Sequence, residues 1–454
     1  MLQSNKIIVK KEHILIFLII IIAFSSRLIF LFSESLWPDE ALYLFISENL
    51  SNNPLNLTDD SGEIFTKNPP LFMYILSLIF YFFDANTIVS SRLFVMLSDL
   101  CTIFIIYLIG KKLFGTTTGI IAACLTAINP LHVWISSRIL IDILLTLFIY
   151  LSLYMLICNK KINFYFFSIL GIFTKYNALP LLTIPVLVKI NVKYFIYLYL
   201  FLFLSLLAFS SFGNINIFNN EIISYYSGFI QIPDLKQMFI EINFFLHPLI
   251  IILFIAGFAF VLKRKDFSAI FHWLLLFSII RFFLPWIAFR ISRYSLPLYP
   301  AILLYSAHGL IFSMETIKKK LQNKNLLINI IFISICLIYL HRGYIVTAVN
   351  NDTFIGYKDA ACFLNEQTKT KTLLTSSPRQ MKFFAKNYIV YNLHENWSPE
   401  KVYEYVKEKN IHFLVIDKWS PHQPSWCLKY PFHNKGFKWR YNNKYVCIYE
   451  FPHE

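Results

Sequence analysis

The sequence predicts an α-helical polytopic membrane protein with a small α/β domain at its C-terminus. Of its 454 residues, 57% are hydrophobic and 15% are charged, and apolar runs recur along the first three quarters of the chain. Apolar runs of roughly 20 residues are typical of transmembrane helices. From about residue 346 the composition becomes polar and mixed, which indicates a separate folded region.

The net charge of +15 does not indicate a nucleic-acid partner. Lysine and arginine are concentrated in the short links between the apolar runs, where they set the orientation of a membrane protein. We therefore expect a lipid bilayer as the surroundings of this chain and no nucleic acid as a partner.

Nine apolar runs are candidate membrane spans. They fall at residues 14–32, 87–109, 117–134, 141–157, 194–212, 244–262, 267–289, 294–312 and 325–341. Residues 162–190 are also apolar but are interrupted by Lys175 and Pro180, which predicts a hairpin of two short helices. The sequence therefore predicts about eleven crossings.

The stretch from Pro69 to Phe83 is shorter than the roughly 20 residues that a spanning helix needs, so we expect it to lie in the membrane interface. With that choice Lys111-Lys112, Lys160-Lys161 and the other basic clusters fall on one side. The positive-inside rule makes that side, and the N-terminus, cytoplasmic. The outer face then receives residues 33–86, 136–142, 213–243, 290–293 and the C-terminal domain.

Residues 346–454 are expected to form an extracytoplasmic domain that follows a membrane domain at residues 1–345. Amphipathic periodicity predicts helices at residues 357–366 and 399–409. Short β-prone runs predict strands at residues 372–375, 388–391, 412–417 and 445–451. This region contains no convincing catalytic cluster.

An acidic pair, Asp39-Glu40, follows the first apolar run within Trp37-Pro38-Asp39-Glu40-Ala41. A carboxylate beside the hydrocarbon layer costs free energy, so it usually has an interaction partner or a function. Asp is also a good helix cap, so Asp39 has a structural alternative as the cap of a helix that starts near Ala41. The local sequence leaves both interpretations open.

Further charged residues occur at the predicted outer ends of spans. They are Arg92, Arg138, Asp142, Lys175, Arg290 and Arg293. Each has a structural alternative. Arg92 can snorkel from a helix end, Arg290 and Arg293 can anchor to anionic lipid, and Asp142 can cap the helix that begins at Ile143. Basic side chains bind phosphate, however, and a carboxylate can deprotonate an incoming hydroxyl or amine. The set as a whole therefore indicates transfer from a lipid-linked phosphate donor.

A series of short motifs in a particular order covers about residues 10–312. The series contains Asp39-Glu40-Ala41-Leu42-Tyr43, Asn68-Pro69-Pro70-Leu71, Ser91-Arg92-Leu93, Gly110-Lys111-Lys112-Leu113-Phe114-Gly115, Asn129-Pro130, Ser137-Arg138 with Asp142, Gly171-Ile172-Phe173-Thr174-Lys175-Tyr176, and Arg293-Tyr294 with Pro297 and Pro300. This series resembles the multispanning glycosyltransferases that use polyprenyl-phosphate sugars, the superfamily of protein O-mannosyltransferases and lipid A aminoarabinose transferases. The chain departs from the usual pattern at Asn68, where many relatives have His. The resemblance implies a C-type glycosyltransferase fold.

The resemblance also implies roles for single residues. Asp39 is expected to be the catalytic base or to orient the acceptor, with Glu40 assisting. The match makes Arg92 and Arg293 expected donor-phosphate ligands. Arg138, Lys175 and Arg290 are further expected ligands because of their positive charge at the predicted outer ends of spans. Asp142 and Glu63 are supporting acidic candidates, and Asp59 and Asp60 are alternatives to Glu63. A divalent metal ion on Asp39 and Glu40 is an open alternative, because carboxylates can bind such an ion or work without one.

The expected reaction is transfer of a glycosyl residue from a dolichyl- or undecaprenyl-phosphate donor to a protein, glycan or lipid acceptor on the outer face. One alternative is a transporter or flippase of lipid-linked saccharides, which should show paired internal repeats. The sequence shows no such symmetry. A non-catalytic partner subunit with the same fold is the other alternative.

Overall fold

The structure is a computed structural model of the chain. It describes residues 2–33, 35–83, 87–183, 244–263, 292–318, 324–351, 354–367, 371–418, 423–427 and 437–451. The predicted spans 194–212 and 267–289 and the predicted site residue Arg290 lie outside the described residues.

The chain forms two compact units. The helical unit comprises Met1–Leu31, Ile64–Ile75 and Val89–Val346. The sheet unit comprises Phe32–Glu63, Leu76–Ile88 and Thr347–Glu454. Residues 33–86 form the first outer loop of the predicted topology, and the acidic segment of this first loop belongs to the same unit as the C-terminal region.

The described part of the helical unit consists mainly of apolar helices. Its described helices are Leu2–Leu28, Thr87–Phe114, Thr116–Ile128, Pro130–Ser136, Ile141–Ile157, Lys161–Thr174, Pro248–Lys263, Tyr299–Lys318 and Lys324–Asn351, with 3-10 helices at Tyr176–Thr183 and Ser292–Leu298. The helix Leu71–Phe83, whose residues are divided between the two units, has 13 residues and is as short as predicted.

Apolar helices of membrane-spanning length are present in the described part of the chain. Thr87–Phe114 and Arg293–Met314 are long and apolar enough to cross a membrane, and the bent pair Thr116–Ile128 and Pro130–Ser136 is a third candidate. The protein is therefore an integral membrane protein. The total of about eleven crossings stays a prediction.

The predicted span 117–134 is bent by 57° near its C-terminal end. Pro130 has no N–H group with which to continue the preceding helix. The Asn129 side chain accepts hydrogen bonds from two N–H groups of the following helix, at 3.1 and 3.3 Å. Asn129-Pro130 therefore ends one helix and caps the next.

Two helices of the helical unit are in backbone contact at facing glycines. A Cβ atom on Gly257 would lie 2.1 Å from the carbonyl oxygen of Tyr305, and one on Gly309 would lie 2.0 Å from that of Leu253. Small residues allow such close approach between membrane helices, which associate through van der Waals contact. Any larger residue at Gly257 or Gly309 would push the two helices apart.

The sheet unit contains a five-stranded mixed sheet. Its strands are β1 (Thr372–Thr375), β2 (Ile389–Asn392), β3 (Phe413–Asp417), β4 (Lys438–Asn442) and β5 (Val446–Glu450), in the order β2-β1-β3-β5-β4. β1 pairs parallel with β2 and β3, and β5 pairs antiparallel with β3 and β4. The four predicted strands are confirmed. The sequence analysis missed β4, whose side chains are mostly exposed.

The helices of the sheet unit cover both faces of this sheet. Leu373 and Phe413 pack on one face, and their neighbours Leu374 and Leu414 pack on the other. The predicted helices at residues 357–366 and 399–409 are present as Tyr357–Asn365 and Pro399–Glu408. A third helix, Pro378–Phe384, directly follows β1 and was not predicted.

Candidate active site

Asp39 and Glu40 lie at the start of the helix Pro38–Asn52, in different surroundings. Proline suits the first helical position, because the N–H group that it lacks would have no partner within the helix. Glu40 is fully buried, and its Oε2 accepts a hydrogen bond from the Trp37 N–H at 2.9 Å. Glu40 therefore caps the helix, as the acidic residue of a capping box does. The helix-capping role that the sequence suggested for Asp39 is therefore performed by Glu40.

The Asp39 side chain remains 26% exposed, and its Oδ1 lies 3.5 Å from Nη1 of Arg379. The Nε of the same arginine lies 3.8 Å from Oδ1 of Asp60. One guanidinium group thus faces two carboxylates from the first loop. Asp39 is the carboxylate of the acidic pair that a reactant can approach.

The three acidic candidates late in the first loop have different roles. Oδ1 of Asp59 accepts hydrogen bonds from the N–H and hydroxyl of Ser61, at 2.8 and 2.5 Å, and so closes a turn. Glu63 is exposed, and its carbonyl oxygen accepts a hydrogen bond from the Asp59 N–H at 2.8 Å. Through their shared arginine, Asp60 is brought together with Asp39.

In the helical unit, a second group of charged residues surrounds Tyr294. Nζ of Lys175 donates a hydrogen bond to Oδ1 of Asp142 at 2.7 Å, and both side chains are buried. The same Nζ lies 4.3 Å from the ring centroid of Tyr294, and the guanidinium carbon of Arg293 lies 5.0 Å from it. These distances are typical of cation–π contacts. Three of the predicted site residues therefore form one cluster.

Local structure explains why these side chains meet. Asp142 lies in the first turn of Ile141–Ile157, and Lys175 immediately follows the helix Lys161–Thr174. Arg293 belongs to the 3-10 helix Ser292–Leu298. Each residue is thus at a helix end, where apolar segments can place a charged group without breaking their own apolar surface.

Arg92 and Arg138 are also buried in the helical unit. Arg92 is 1% exposed, and its Nη1 lies 3.5 Å from the carbonyl oxygen of Leu31. Arg138 is 3% exposed and lies in the turn before Ile141–Ile157. Burial within the protein disfavours the alternative in which Arg92 snorkels from a helix end. A buried cation is instead stabilised by a counterion or by a bound anion.

The sequence reasoning missed a buried ion pair between Arg27 and Asp99. Nε and Nη2 of Arg27 donate to Oδ2 of Asp99 at 3.0 and 2.5 Å, and Nδ1 of His132 lies 2.8 Å from Oδ1. Nη1 of Arg27 also donates to the carbonyl oxygen of Ala127, close to the break before Pro130. Asp99 lies within the predicted span 87–109 and could have indicated this pair, because ionisable residues in apolar helices need partners.

A divalent metal ion on Asp39 and Glu40 stays a prediction. Within the described ranges, no group of three or more His, Cys, Asp or Glu side chains is placed to hold a metal ion. Glu40, the second proposed ligand, is buried and accepts the hydrogen bond from Trp37. The guanidinium group of Arg379 faces both Asp39 and Asp60 and would compete with a metal ion for their oxygens.

Comparison with known sequences finds one family model that matches part of the chain. Residues 67–230 match the family model described as dolichyl-phosphate-mannose-protein mannosyltransferase, which covers less than half of the chain. A search of curated proteins gave no match.

Several solved structures have a similar fold. ArnT from Cupriavidus metallidurans, bound to undecaprenyl phosphate, superposes with a TM-score of 0.68 at 12% identity, covering 96% of this chain and 97% of ArnT. The Archaeoglobus fulgidus oligosaccharyltransferase in complex with Zn and sulfate gives 0.59 at 13% identity, covering 96% and 72%. Its complex with an inhibitory peptide and a dolichol-phosphate gives 0.55 at 14% identity, covering 89% and 69%.

At these identities the structural similarity establishes the fold. Activity requires an argument from the site residues. The family match and the fold agree with the motifs in the sequence. The resemblance is therefore confirmed: this chain has the fold of the polyprenyl-phosphate-dependent C-type glycosyltransferases.

Proposed function

We propose that this protein transfers a glycosyl residue from a polyprenyl-phosphate donor to an acceptor on the outer face of the membrane. The observation that carries the proposal is the cluster of Lys175, Arg293 and Asp142 around Tyr294. Ionisable groups enclosed by apolar helices mark functional sites in membrane proteins. The fold shared with an enzyme bound to undecaprenyl phosphate supports a lipid phosphate as the ligand.

The donor phosphate would be bound by basic residues of the helical unit. Guanidinium groups of Arg92, Arg138 and Arg293 suit this role, because their donors match two phosphate oxygens at once. Lys175 would add a point charge, and Asp142 would hold its ammonium group in place through the 2.7 Å hydrogen bond. These cations would stabilise the negative charge that develops on the phosphate as it leaves. The isoprenoid chain would lie in the bilayer among the apolar helices.

Asp39 would activate the acceptor. Its carboxylate would take the proton of the acceptor hydroxyl, or of an amine, while the acceptor atom forms a bond to the anomeric carbon of the sugar. The bond between that carbon and the phosphate oxygen breaks, and polyprenyl phosphate leaves with the electron pair. Attack opposite the leaving group inverts the configuration. Glu40 would assist by fixing the start of the helix that carries Asp39.

The proposal includes an orientation of the chain. The N-terminus would be cytoplasmic, and the sheet unit, which contains Asp39, would lie outside. This arrangement keeps the basic links on the cytoplasmic side.

The proposal is tested by measuring release of polyprenyl phosphate from a panel of synthetic polyprenyl-phosphate sugars by the purified protein in lipid. We expect Asp39→Asn to abolish release while leaving donor binding and the fold largely intact. Asp359→Asn is the matched control, because Asp359 is an exposed carboxylate in another helix of the sheet unit. Loss of donor binding in Asp39→Asn would contradict the assignment of the base.

A further inference from the structure

The short helix Pro378–Phe384 carries basic residues that contact the first loop within the sheet unit. Arg379 faces both Asp39 and Asp60, at 3.5 and 3.8 Å. One turn later, Nζ of Lys382 donates a hydrogen bond to the carbonyl oxygen of Asp60. Nε2 of Gln380 donates to the carbonyl oxygen of Leu36 at 3.3 Å. The helix therefore contacts the loop on both sides of Asp39.

The position of this helix is fixed by the sheet beneath it. Its first residue, Pro378, follows β1 after only two intervening residues, and Met381 is fully buried in the core that covers the sheet. Gln380 is also fully buried. Because both residues that follow Arg379 are packed, its backbone is held by a rigid scaffold. The side chain of Arg379 itself remains half-buried, with 31% of its surface exposed.

We propose that Arg379 is a positioning residue for Asp39. The inference rests on the proposed function, in which Asp39 is the general base. By sharing its guanidinium group between Asp39 and Asp60, Arg379 orients the Asp39 carboxylate and joins it to a second part of the loop. The separation of 3.5 Å is that of an ion pair, longer than the 2.7–2.9 Å of a charge-assisted hydrogen bond. Arg379 thus orients the carboxylate without a short hydrogen bond to the oxygen that accepts the proton.

This arrangement gives the C-terminal region a part in the reaction. The region has no catalytic cluster of its own in the sequence, yet it supplies the cation that faces the proposed base. The same contacts explain why the acidic segment of the first loop packs in the sheet unit. The proposed phosphate ligands do not include Arg379, so we expect this residue to affect turnover and not donor affinity.

The chain offers a matched control for Arg379 in Lys386. Lys386 pairs with Glu48, which lies on the same helix as Asp39. The two pairs therefore join the same two parts of the sheet unit and have the same charges. Asp39 and Glu48 are nine residues apart on this helix, or roughly 13 Å at 1.5 Å per residue. The variant Lys386→Gln therefore tests the contact between these two parts of the sheet unit, the interface, without acting on Asp39.

The test compares Arg379→Gln, Arg379→Lys and Lys386→Gln with Asp39→Asn and the wild type, all as full-length protein in lipid. The measured quantities are kcat, KM for the acceptor, Kd for the polyprenyl-phosphate sugar and the midpoint of thermal unfolding. We expect Arg379→Gln to lower kcat by roughly 10–100-fold, because small misplacements of a catalytic group have effects of that size. Donor Kd should stay within about twofold of the wild type. Arg379→Lys should be intermediate, and Lys386→Gln should match the wild type in kcat.

Three outcomes would overturn the inference. A kcat of Arg379→Gln within about twofold of the wild type would show that Asp39 does not depend on this arginine. An equal loss of kcat in Lys386→Gln would show that the interface as a whole is structural. If Arg379→Gln does not fold, Arg379→Lys decides the question, and a wild-type kcat in that variant overturns the inference.

Asp39→Asn separates this inference from the proposed function. If Asp39→Asn is inactive and Arg379→Gln is fully active, only the role of Arg379 is wrong. If Asp39→Asn turns over at the wild-type rate, the base assignment fails, and the role of Arg379 fails with it.

Discussion

The buried pair of Arg27 and Asp99 leads to a stability prediction for the substitution Asp99→Asn. The Asp99 carboxylate accepts two hydrogen bonds from Arg27, at 3.0 and 2.5 Å, and lies 2.8 Å from Nδ1 of His132. All three side chains are fully buried. Asparagine has almost the same size but no charge, so the substitution leaves the Arg27 guanidinium buried without this counterion.

The expected magnitude follows from the burial of the pair. Removing one partner of a buried ion pair costs about 3–5 kcal/mol, because the remaining charge stays in a medium of low polarity. Two unit charges 4 Å apart attract by about 4 kcal/mol at an effective dielectric constant of about 20, which is in the same range. Arg27 keeps its hydrogen bonds to the carbonyl oxygens of Ala23 and Ala127, which offset part of the loss. We therefore expect the free energy of unfolding to fall by about 3–5 kcal/mol.

The assay is equilibrium unfolding in detergent micelles, followed by circular dichroism. The double variant Arg27→Met with Asp99→Leu is the control, because it removes both charges while keeping similar side-chain volumes. It should recover most of the stability that Asp99→Asn loses. The reasoning would be refuted if Asp99→Asn stayed within about 1 kcal/mol of the wild type. A double variant less stable than the single one would refute it as well.

Three further predictions concern ligand binding, metal dependence and thiol reactivity. Lys175→Gln should weaken binding of polyprenyl phosphate by roughly 10–100-fold in calorimetry, since a hydrogen bond to a charged group contributes about 1.5–3 kcal/mol. Lys160 is exposed, so the control variant Lys160→Gln should bind polyprenyl phosphate as the wild type does. EDTA should leave turnover unchanged, because Arg379 faces the acidic residues of the first loop; a loss that a divalent ion restores would contradict this. Burial raises the pKa of the Cys427 thiol to about 12, so at pH 8 this thiol stays protonated and should react with a maleimide far more slowly than the exposed Cys362. Equal labelling rates in the native protein would contradict the burial of Cys427.

Periodicity in the sequence predicted most elements of the C-terminal region. β3 was found because four of its five residues are apolar, and Pro399–Glu408 was found because one face of this helix is apolar. The helix Pro378–Phe384 was missed, because seven residues are too few to show a helical period. The pair Ser377-Pro378 could have indicated it, since proline is common at the first position of a helix.

The candidate site could be predicted only in part. Asp39 and Glu40 were identified by their place after an apolar run, but adjacent carboxylates look equivalent in a sequence. Their separate roles depend on the Trp37 N–H and on Arg379, which the fold brings to them. No local pattern connects Arg379 with Asp39, because the two residues are far apart in the sequence and meet only through tertiary structure.

Charge in apolar surroundings was the most useful signal for the helical unit. Asp142 and Lys175 were both identified in this way and form a direct hydrogen bond. The same signal at Arg27 and Asp99 leads to a buried ion pair within the helical unit. Sequence position does not separate these two uses of buried charge, because both need the same balance between desolvation and a nearby partner.

The most direct test of the central claim is release of polyprenyl phosphate by the purified full-length protein in lipid, comparing the wild type with Asp39→Asn. The panel of polyprenyl-phosphate sugars is supplied together with a broad acceptor extract, and donor Kd is measured in parallel. We predict that the wild type releases polyprenyl phosphate from at least one donor, and that Asp39→Asn binds this donor equally well without releasing it. Release by Asp39→Asn at the wild-type rate would contradict the role of Asp39. Donor binding without release by the wild type would contradict glycosyl transfer itself.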